Sequence, residues 1–414
     1  MSLDRDNWAG SVRYRASDVV EPATLAQAQR LVASSARIRP LGTRHSFNEL
    51  PDTEGTLIHL GALPPDPVID REAMTATVGG ATRYGVLARY LEDNGLALHN
   101  LGSLPHISVA GAISTGTHGS GDRLGSLSSA VRGLQFIGPS GDLVEVRAGD
   151  PGFQGMVVGL GAFGPIARVT LAVQPSYRMR QDAYLNLSWQ RLLDDVDGVM
   201  AASYSVSLLT TWTAPAVQHV WVKSLLDGPI VTADQLGVEP APPQAPDNMN
   251  PFGIEGAWCD CLPHFRLDRV PSMGAEIQTE YLLARDRAVE AIGALREIGG
   301  PIDAVLAASE LRTVAADELW LSPATGRDSL AIHFTFRRDP EGVARVLPAI
   351  EARLLPLGAR PHWGKLFQVG ADVLGPRYPR LDDWRNLVAA HDPDGKFSNG
   401  FIERHVTGPA GGGH

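Results

Sequence analysis

Apolar residues recur along this chain with two periods. Leu25, Ala28 and Val32 fall on one side of residues 22–35 and predict a helix. Residues 83–94 predict a second helix, stopped by Gly95. Strict alternation takes over at 73–78, where Met74, Ala76 and Val78 share one face of a strand. Further strands are expected at 36–41, 56–60 and 166–173. Residues 131–137 and 143–146 flank Pro139-Ser140-Gly141-Asp142 and predict a hairpin. Residues 177–235 mix strands with a helix, and 238–252, rich in Pro, Asn and Ala, reads as a surface loop. Strands at 306–313 and 329–337 follow, with helices at 285–298 and, in spite of Pro348, at 341–355. No fixed period repeats. The pattern predicts an α+β chain in two lobes, the second beginning near residue 177.

Composition narrows what such a chain does. With 414 residues, 44% hydrophobic and 20% charged, it reads as a soluble globular protein of two to three domains. A net charge of −10 argues against nucleic acid and anionic lipid as partners. Two cysteines exclude a disulfide framework and suit a reducing cytoplasm. Residues 1–8 carry no apolar signal segment. The apolar stretch 156–173 is broken by Gly159, Gly161, Gly164, Pro165 and Arg168, so it is not read as a bilayer span. The glycine-rich tail 408–414 is expected to fray.

Three motifs invite over-reading. Gly159-x-Gly161-x-x-Gly164 matches a dinucleotide fingerprint, but Pro165 and a strand follow where a helix is needed, so Asp182 has no role as a ribose acid. Asp394-Gly395-Lys396-Phe397 lacks the glycine and hydroxyl residue of a phosphate loop and reads as a turn. Cys259-x-Cys261-x-x-His264 offers too few ligands for a closed metal site, so the cysteines are expected to be ordinary ones on a loop or strand, and no metal is expected.

Three other stretches carry more. Pro40-Leu41-Gly42-Thr43-Arg44-His45-Ser46-Phe47 is a tight loop whose backbone N–H groups could bind a pyrophosphate. Residues 101–121 are dense in Gly, Ser and Thr, including Gly102, Ser103, Ser108, Gly111, Ala112, Ser114 and Thr115. Two such stretches in one lobe favour a large phosphate-bearing cofactor. In the second lobe, Glu310 with Arg312, and His333 with Thr335, are spaced i, i+2 and share a strand face. His362 and Lys365 add polar groups nearby in sequence. Convergence of these pairs on one surface would make a wall that binds a polyhydroxylated molecule.

At these residues the chain resembles the vanillyl-alcohol-oxidase-type flavoproteins, and among them the bacterial alditol oxidases. The motifs are Asn7-Trp8-Ala9-Gly10, Gly42-x-x-His45-Ser46-Phe47-Asn48, Ser103-Leu104-Pro105-His106-Ile107-Ser108-Val109-Ala110-Gly111, Thr115-Gly116-Thr117-His118-Gly119-Ser120-Gly121, Glu310-x-Arg312 and Arg360-Pro361-His362-Trp363-Gly364-Lys365. The resemblance implies a two-lobed fold. An FAD-binding lobe of two small α/β subdomains (8–176) precedes a substrate lobe with a large antiparallel sheet flanked by helices (177–365), and 366–405 return to the FAD lobe. It implies FAD attached covalently through His45 alone, since the first lobe holds no cysteine. It places Pro40, Leu41, Gly42, Thr43, Arg44, Ser46, Phe47, Ser103, Ser108, Gly111, Ala112, Ser114, Thr115, Gly161, Thr170 and His362 around the FAD. Polyol contacts map to Ser103, Glu310, Arg312, Thr335 and Lys365, and the catalytic candidates are Lys365, Arg312 and His333. The implied reaction oxidises the terminal hydroxyl of xylitol, sorbitol, glycerol or mannitol, with O2 reduced to H2O2, in a cytoplasmic monomer. An aldonolactone oxidase of the same fold, or a non-catalytic flavin- or sugar-binding protein, are the alternatives.

Overall fold

The computed structural model describes residues 5–242 and 244–408. The tail expected to fray lies, from 409 on, outside the described residues. Among the described residues there are four sheets, one of them only the short pair Leu96–Ala97 with Gln174–Pro175, and the other three organise the chain. Asp18–Val20, Thr56–Ile58 and Ile38–Pro40 pair in parallel in that order. The helix Leu25–Ser34 starts only after Thr24, whose side chain caps the backbone N–H of Gln27. A second, antiparallel sheet runs Val68–Asp70, Thr75–Gly79, Ile166–Ala172, Val131–Ile137, Leu143–Arg147. The expected hairpin is its edge. Helix Tyr84–Asp93 ends before Gly95, which takes a positive φ.

The third sheet is antiparallel throughout, and all its strands lie between Arg178 and Pro361. Its inner order is Arg178–Ser188, Ala216–Leu225, Ser205–Thr210, Leu306–Val314, Ser329–Arg337, Glu276–Ala284. Ile332, Phe334 and Phe336, with Tyr281 and Leu283 beside them, share the core with Ala291, Leu295, Leu347 and Ile350 of helices Ala288–Glu297 and Pro340–Leu354. Pro348 is exposed, so the hydrogen bond it cannot donate is lost on the solvent side of its helix.

Two local expectations change. Cys259 and Cys261 stand on a short helix, Trp258–Cys261, not on a loop or strand. Trp258 and Cys261, three apart, are both buried among core residues, and helical spacing puts them on one side. The surface loop at 238–252 also gives the sheet an edge, because Glu239–Pro240 pairs with Tyr184 and Leu185. The stretch 156–173 is the end of a short helix, a turn and a strand.

The last described segment packs back on the first sheets. Lys396 Nζ donates to the carbonyls of Val32, Ala33 and Pro139, and Phe397 is buried beside Ala28, Val32 and Ile38. The supposed phosphate-loop lysine is thus an anchor. Arg39, 1% exposed, ties three segments together through the carbonyls of Leu50, Leu160 and Phe397.

Candidate active site

Register in the large sheet builds one face of the site. Glu310 pairs with His333, and His333 pairs with Glu280, so three polar residues form a row across adjacent strands. The neighbouring row is Ala308, Thr335 and Gln278. Arg312, two residues beyond Glu310, takes the same face. Its Nη2 lies 2.5 Å from Glu280 Oε1, its Nη1 3.4 Å from Ser103 Oγ, and its Nε 3.9 Å from Glu310 Oε2. His333 Nε2 is 3.1 Å from Thr335 Oγ1. Lys365 donates to Gln278 Oε1 and its Nζ sits 4.9 Å from the centre of the Phe47 ring.

Burial sets the charges here. It would raise the Glu310 carboxyl, but Arg312 and the histidines hold it below its ordinary value. Burial pushes the Lys365 ammonium down to about 8, against the pull of Glu280. His333 is lowered by burial, with Glu280 opposing. Glu310 Oε1 has no hydrogen-bond partner among the described residues. A buried carboxylate oxygen left open is costly and well suited to accept a hydroxyl from a ligand.

A single cavity of about 450 Å³ joins this face to the loops of the first lobe. Its other arm is lined by Leu41–Phe47, Ser108, Gly111, Ala112, Ser114, Thr115 and Gly161. A Cβ on Gly42 would come within 3.0 Å of Ser108 Oγ, and one on Gly111 within 2.9 Å, so glycine is what lets these two segments approach. His45 is held from behind. Trp8 stacks on its ring at 5.1 Å, Thr43 Oγ1 lies 3.1 Å from its Nδ1, and Asn7 Nδ2 donates to the Ser46 carbonyl. Its Nε2 has no partner among the described residues, and burial pushes the imidazole down to about 3, so the ring is neutral at pH 7. Ser108 Oγ is likewise unpartnered. A cavity lined by both lobes, with a bare, neutral imidazole nitrogen and an open hydroxyl on its wall, fits a flavin dinucleotide.

The cavity brings together every site residue expected from sequence except Thr170. Thr170 faces Thr77 across two strands, their hydroxyls 2.8 Å apart. Asp182 pairs with Arg180, away from any nucleotide role. His264 leaves the cysteines and enters the cavity wall, where Trp221 meets its ring edge-on at 4.7 Å. Trp221, Gln278, Glu280 and His264 were missed from sequence. The last strand of that group did carry a signal. Glu276, Gln278 and Glu280 alternate with Ile277, Thr279 and Tyr281, a polar face on a strand whose residues are all but buried.

Comparison with known proteins gives this geometry a family. A model described as an FAD binding domain matches residues 16–147, and one described as D-arabinono-1,4-lactone oxidase matches residues 276–405. An alditol oxidase of Streptomyces sp. strain IKD472 is 42% identical over 99% of this chain and 100% of its own length. The chain belongs to the alditol oxidase family of FAD-binding oxidoreductases. An L-gulono-1,4-lactone dehydrogenase of Mycobacterium tuberculosis is 28% identical, covering 99% of this chain and all of that protein. Among solved structures, cholesterol oxidase from B. sterolicum shares the fold, with a TM-score of 0.81 and 16% identity over 98% of this chain and 97% of that one. This chain thus combines an FAD-binding lobe with a large antiparallel sheet flanked by helices. In this chain no helix of the described residues is long and apolar enough to cross a membrane.

Proposed function

We propose that this protein is an alditol oxidase that oxidises the terminal C1 hydroxyl of polyols such as xylitol and sorbitol to the aldose, with FAD attached through His45. The observation that carries the reading is the single cavity running from His45 to the row of Glu310, His333 and Glu280. FAD held by the loop Leu41–Phe47 with Ser108 and Gly111 would supply the acceptor for the C1 hydride, with O2 as terminal oxidant and H2O2 as product.

The chain's own residues supply the rest. Arg312 and Lys365 hold and polarise the reacting oxygen. Glu310, Ser103 and Thr335 take up the neighbouring hydroxyls, which fixes the register of C1. The hydroxyl proton leaves to Lys365 or to His333, both of which are shifted toward the neutral form by burial. A site of paired polar groups rejects analogues that lack a hydroxyl, since each missing contact strands a buried partner. Support for the His45 link is the open Nε2 of a neutral ring clamped by Trp8 and Thr43.

The test is the visible spectrum of the purified protein before and after anaerobic xylitol. A flavin spectrum that bleaches and returns with air supports the reading. The match of residues 276–405 to a lactone oxidase model favours a second reading, an aldonolactone oxidase. Bleaching by gulonolactone but by neither xylitol nor sorbitol would replace the first with the second.

A further inference from the structure

Glu280 lies at the centre of the site, yet both of its oxygens already face protein. It is 2% exposed on the strand Glu276–Ala284. Oε1 is 2.5 Å from Arg312 Nη2 and 3.4 Å from His118 Nε2. Oε2 is 3.5 Å from His333 Nδ1. Neither His118 Nε2 nor His333 Nδ1 has another partner among the described residues. A carboxylate so enclosed has little left to offer a substrate. It is placed to act on the groups that do.

We propose that Glu280 is a positioning residue: its carboxylate pins the Arg312 fork beside Ser103 and turns the His333 ring so that Nδ1 carries the proton. Nε2 then presents its lone pair toward Thr335 and the cavity. The proposal rests on the alcohol-oxidising reading above.

Three physical arguments support it. A buried Nδ1–H needs an acceptor, and Glu280 Oε2 is the carboxylate that faces it. A neutral imidazole with one nitrogen committed as donor has the other free as acceptor. Carboxylate–histidine pairs orient bases in this way in hydrolases. His118 differs, because its Nδ1 lies 2.8 Å from the Gly119 carbonyl oxygen and is therefore the protonated nitrogen. His118 thus turns a bare Nε2 toward Glu280, and cannot take over the role of His333.

Charge follows the same geometry. The groups that face this centre are Glu310 and Arg312 on one strand, His333 on the next, Glu276 and Glu280 on the third, Lys223 on Ala216–Leu225, and His118, His264, His362, His45 and Lys365 from the loops. Burial alone would raise the Glu280 carboxyl, but the Arg312 guanidinium above all, with the His333 ring, holds it well below the usual carboxylate range. Its negative charge in turn raises both His333 and Lys365.

The experiment compares the flavin-loaded wild type with Glu280→Gln and Glu280→Asp. Histidine ¹⁵N spectra, with His333 identified by its loss in His333→Gln, report which ring nitrogen is protonated. The wild type is expected to be protonated at Nδ1. In Glu280→Gln, Arg312 claims the amide oxygen, the NH2 faces His333, and the proton moves to Nε2. For that variant kcat/KM with xylitol falls about 100-fold through misplacement of the reacting groups. The acid limb of its pH profile moves to lower pH, because the charge that raised His333 and Lys365 is gone. Glu280→Asp keeps the charge and the wild-type acid limb, but its shorter reach lowers kcat.

A wild-type His333 protonated at Nε2 overturns the proposal. So does a flavin-loaded Glu280→Gln with wild-type kcat/KM and pH profile. If Glu280→Gln does not load flavin, the wild-type spectrum and Glu280→Asp decide. A wild type that no polyol or lactone reduces removes the oxidation reading instead, while the histidine spectrum still reports on the placement of Glu280.

Discussion

Lys365 stands between opposing demands. Burial disfavours its charge, Arg312 disfavours it further, and Glu280 favours it. With the ammonium near 8, the two candidate bases separate by pH. If Lys365 takes the proton, it must be neutral, so kcat/KM for xylitol rises as pH climbs and levels off above about 8. If His333 takes it, the ring is already neutral at pH 7, and steady-state rates stay flat from pH 7 to 9. Lys365→Met should lower turnover on the order of 100-fold or more while FAD stays bound, measured by oxygen uptake beside the flavin absorbance. His45→Ala should leave a yellow protein that releases all its flavin on denaturation, whereas the wild type keeps fluorescence on the denatured chain. These residues were legible because a lone His in a Gly-rich loop, or a charged pair spaced i, i+2 on a strand, departs from its surroundings. Glu280 and Gln278 obey the same alternation, but on a strand buried at nearly every position, where the polar face does not stand out from the core. Thr170 shows the reverse limit: a hydroxyl on a predicted strand near a glycine turn faces another strand, and nothing in one sequence reveals which face is which.

Between elements, two loops from opposite lobes are stitched together. Asn48 Nδ2 donates to the carbonyls of Trp363 and Lys365, each at 2.7 Å, and Phe47 N–H donates to the Gly364 carbonyl at 2.8 Å. The loop that bears His45 and the loop that bears Lys365 therefore move as one. Asn48→Ala should strand two buried carbonyls, lower stability by about 2 kcal/mol, and raise KM for xylitol as Lys365 loses its fixed place. Thermal unfolding and initial rates on the same preparation check both. Sequence placed the strands bearing Glu310 and His333 well, since β-branched and alternating runs depend on near neighbours. It could not supply this stitch, because side-chain amide bonds to carbonyls some 315 positions away leave no local pattern.

At the scale of the molecule, the cofactor lobe is closed by residues from both ends of the chain. Arg39 remains charged although burial pushes it down to about 10, and its two Nη atoms donate to the carbonyls of Leu50, Leu160 and Phe397. Arg39→Met fills much of the space but frees at least two buried acceptors. A loss of about 3 kcal/mol is expected, read as a lower thermal midpoint at fixed scan rate. Wild-type stability in this variant would show that water replaces the guanidinium. The change of pattern near residue 177 coincides with the start of the large antiparallel sheet at Arg178. A buried arginine in a short strand was not legible in the sequence, because a charged residue beside Ile38 reads as solvent-facing until the third segment covering it is known.

That third segment has a bearing on how the protein is made. Lys396 and Phe397 complete the packing around Ile38 and Val32, so a chain emerging from the ribosome carries an unfinished nucleotide lobe until almost the whole sequence is out. The first lobe must then wait, partly open, through the synthesis of the entire large sheet. Lys396 and Phe397 pack behind that lobe and do not line its cavity, so their arrival steadies the lobe without covering the flavin site.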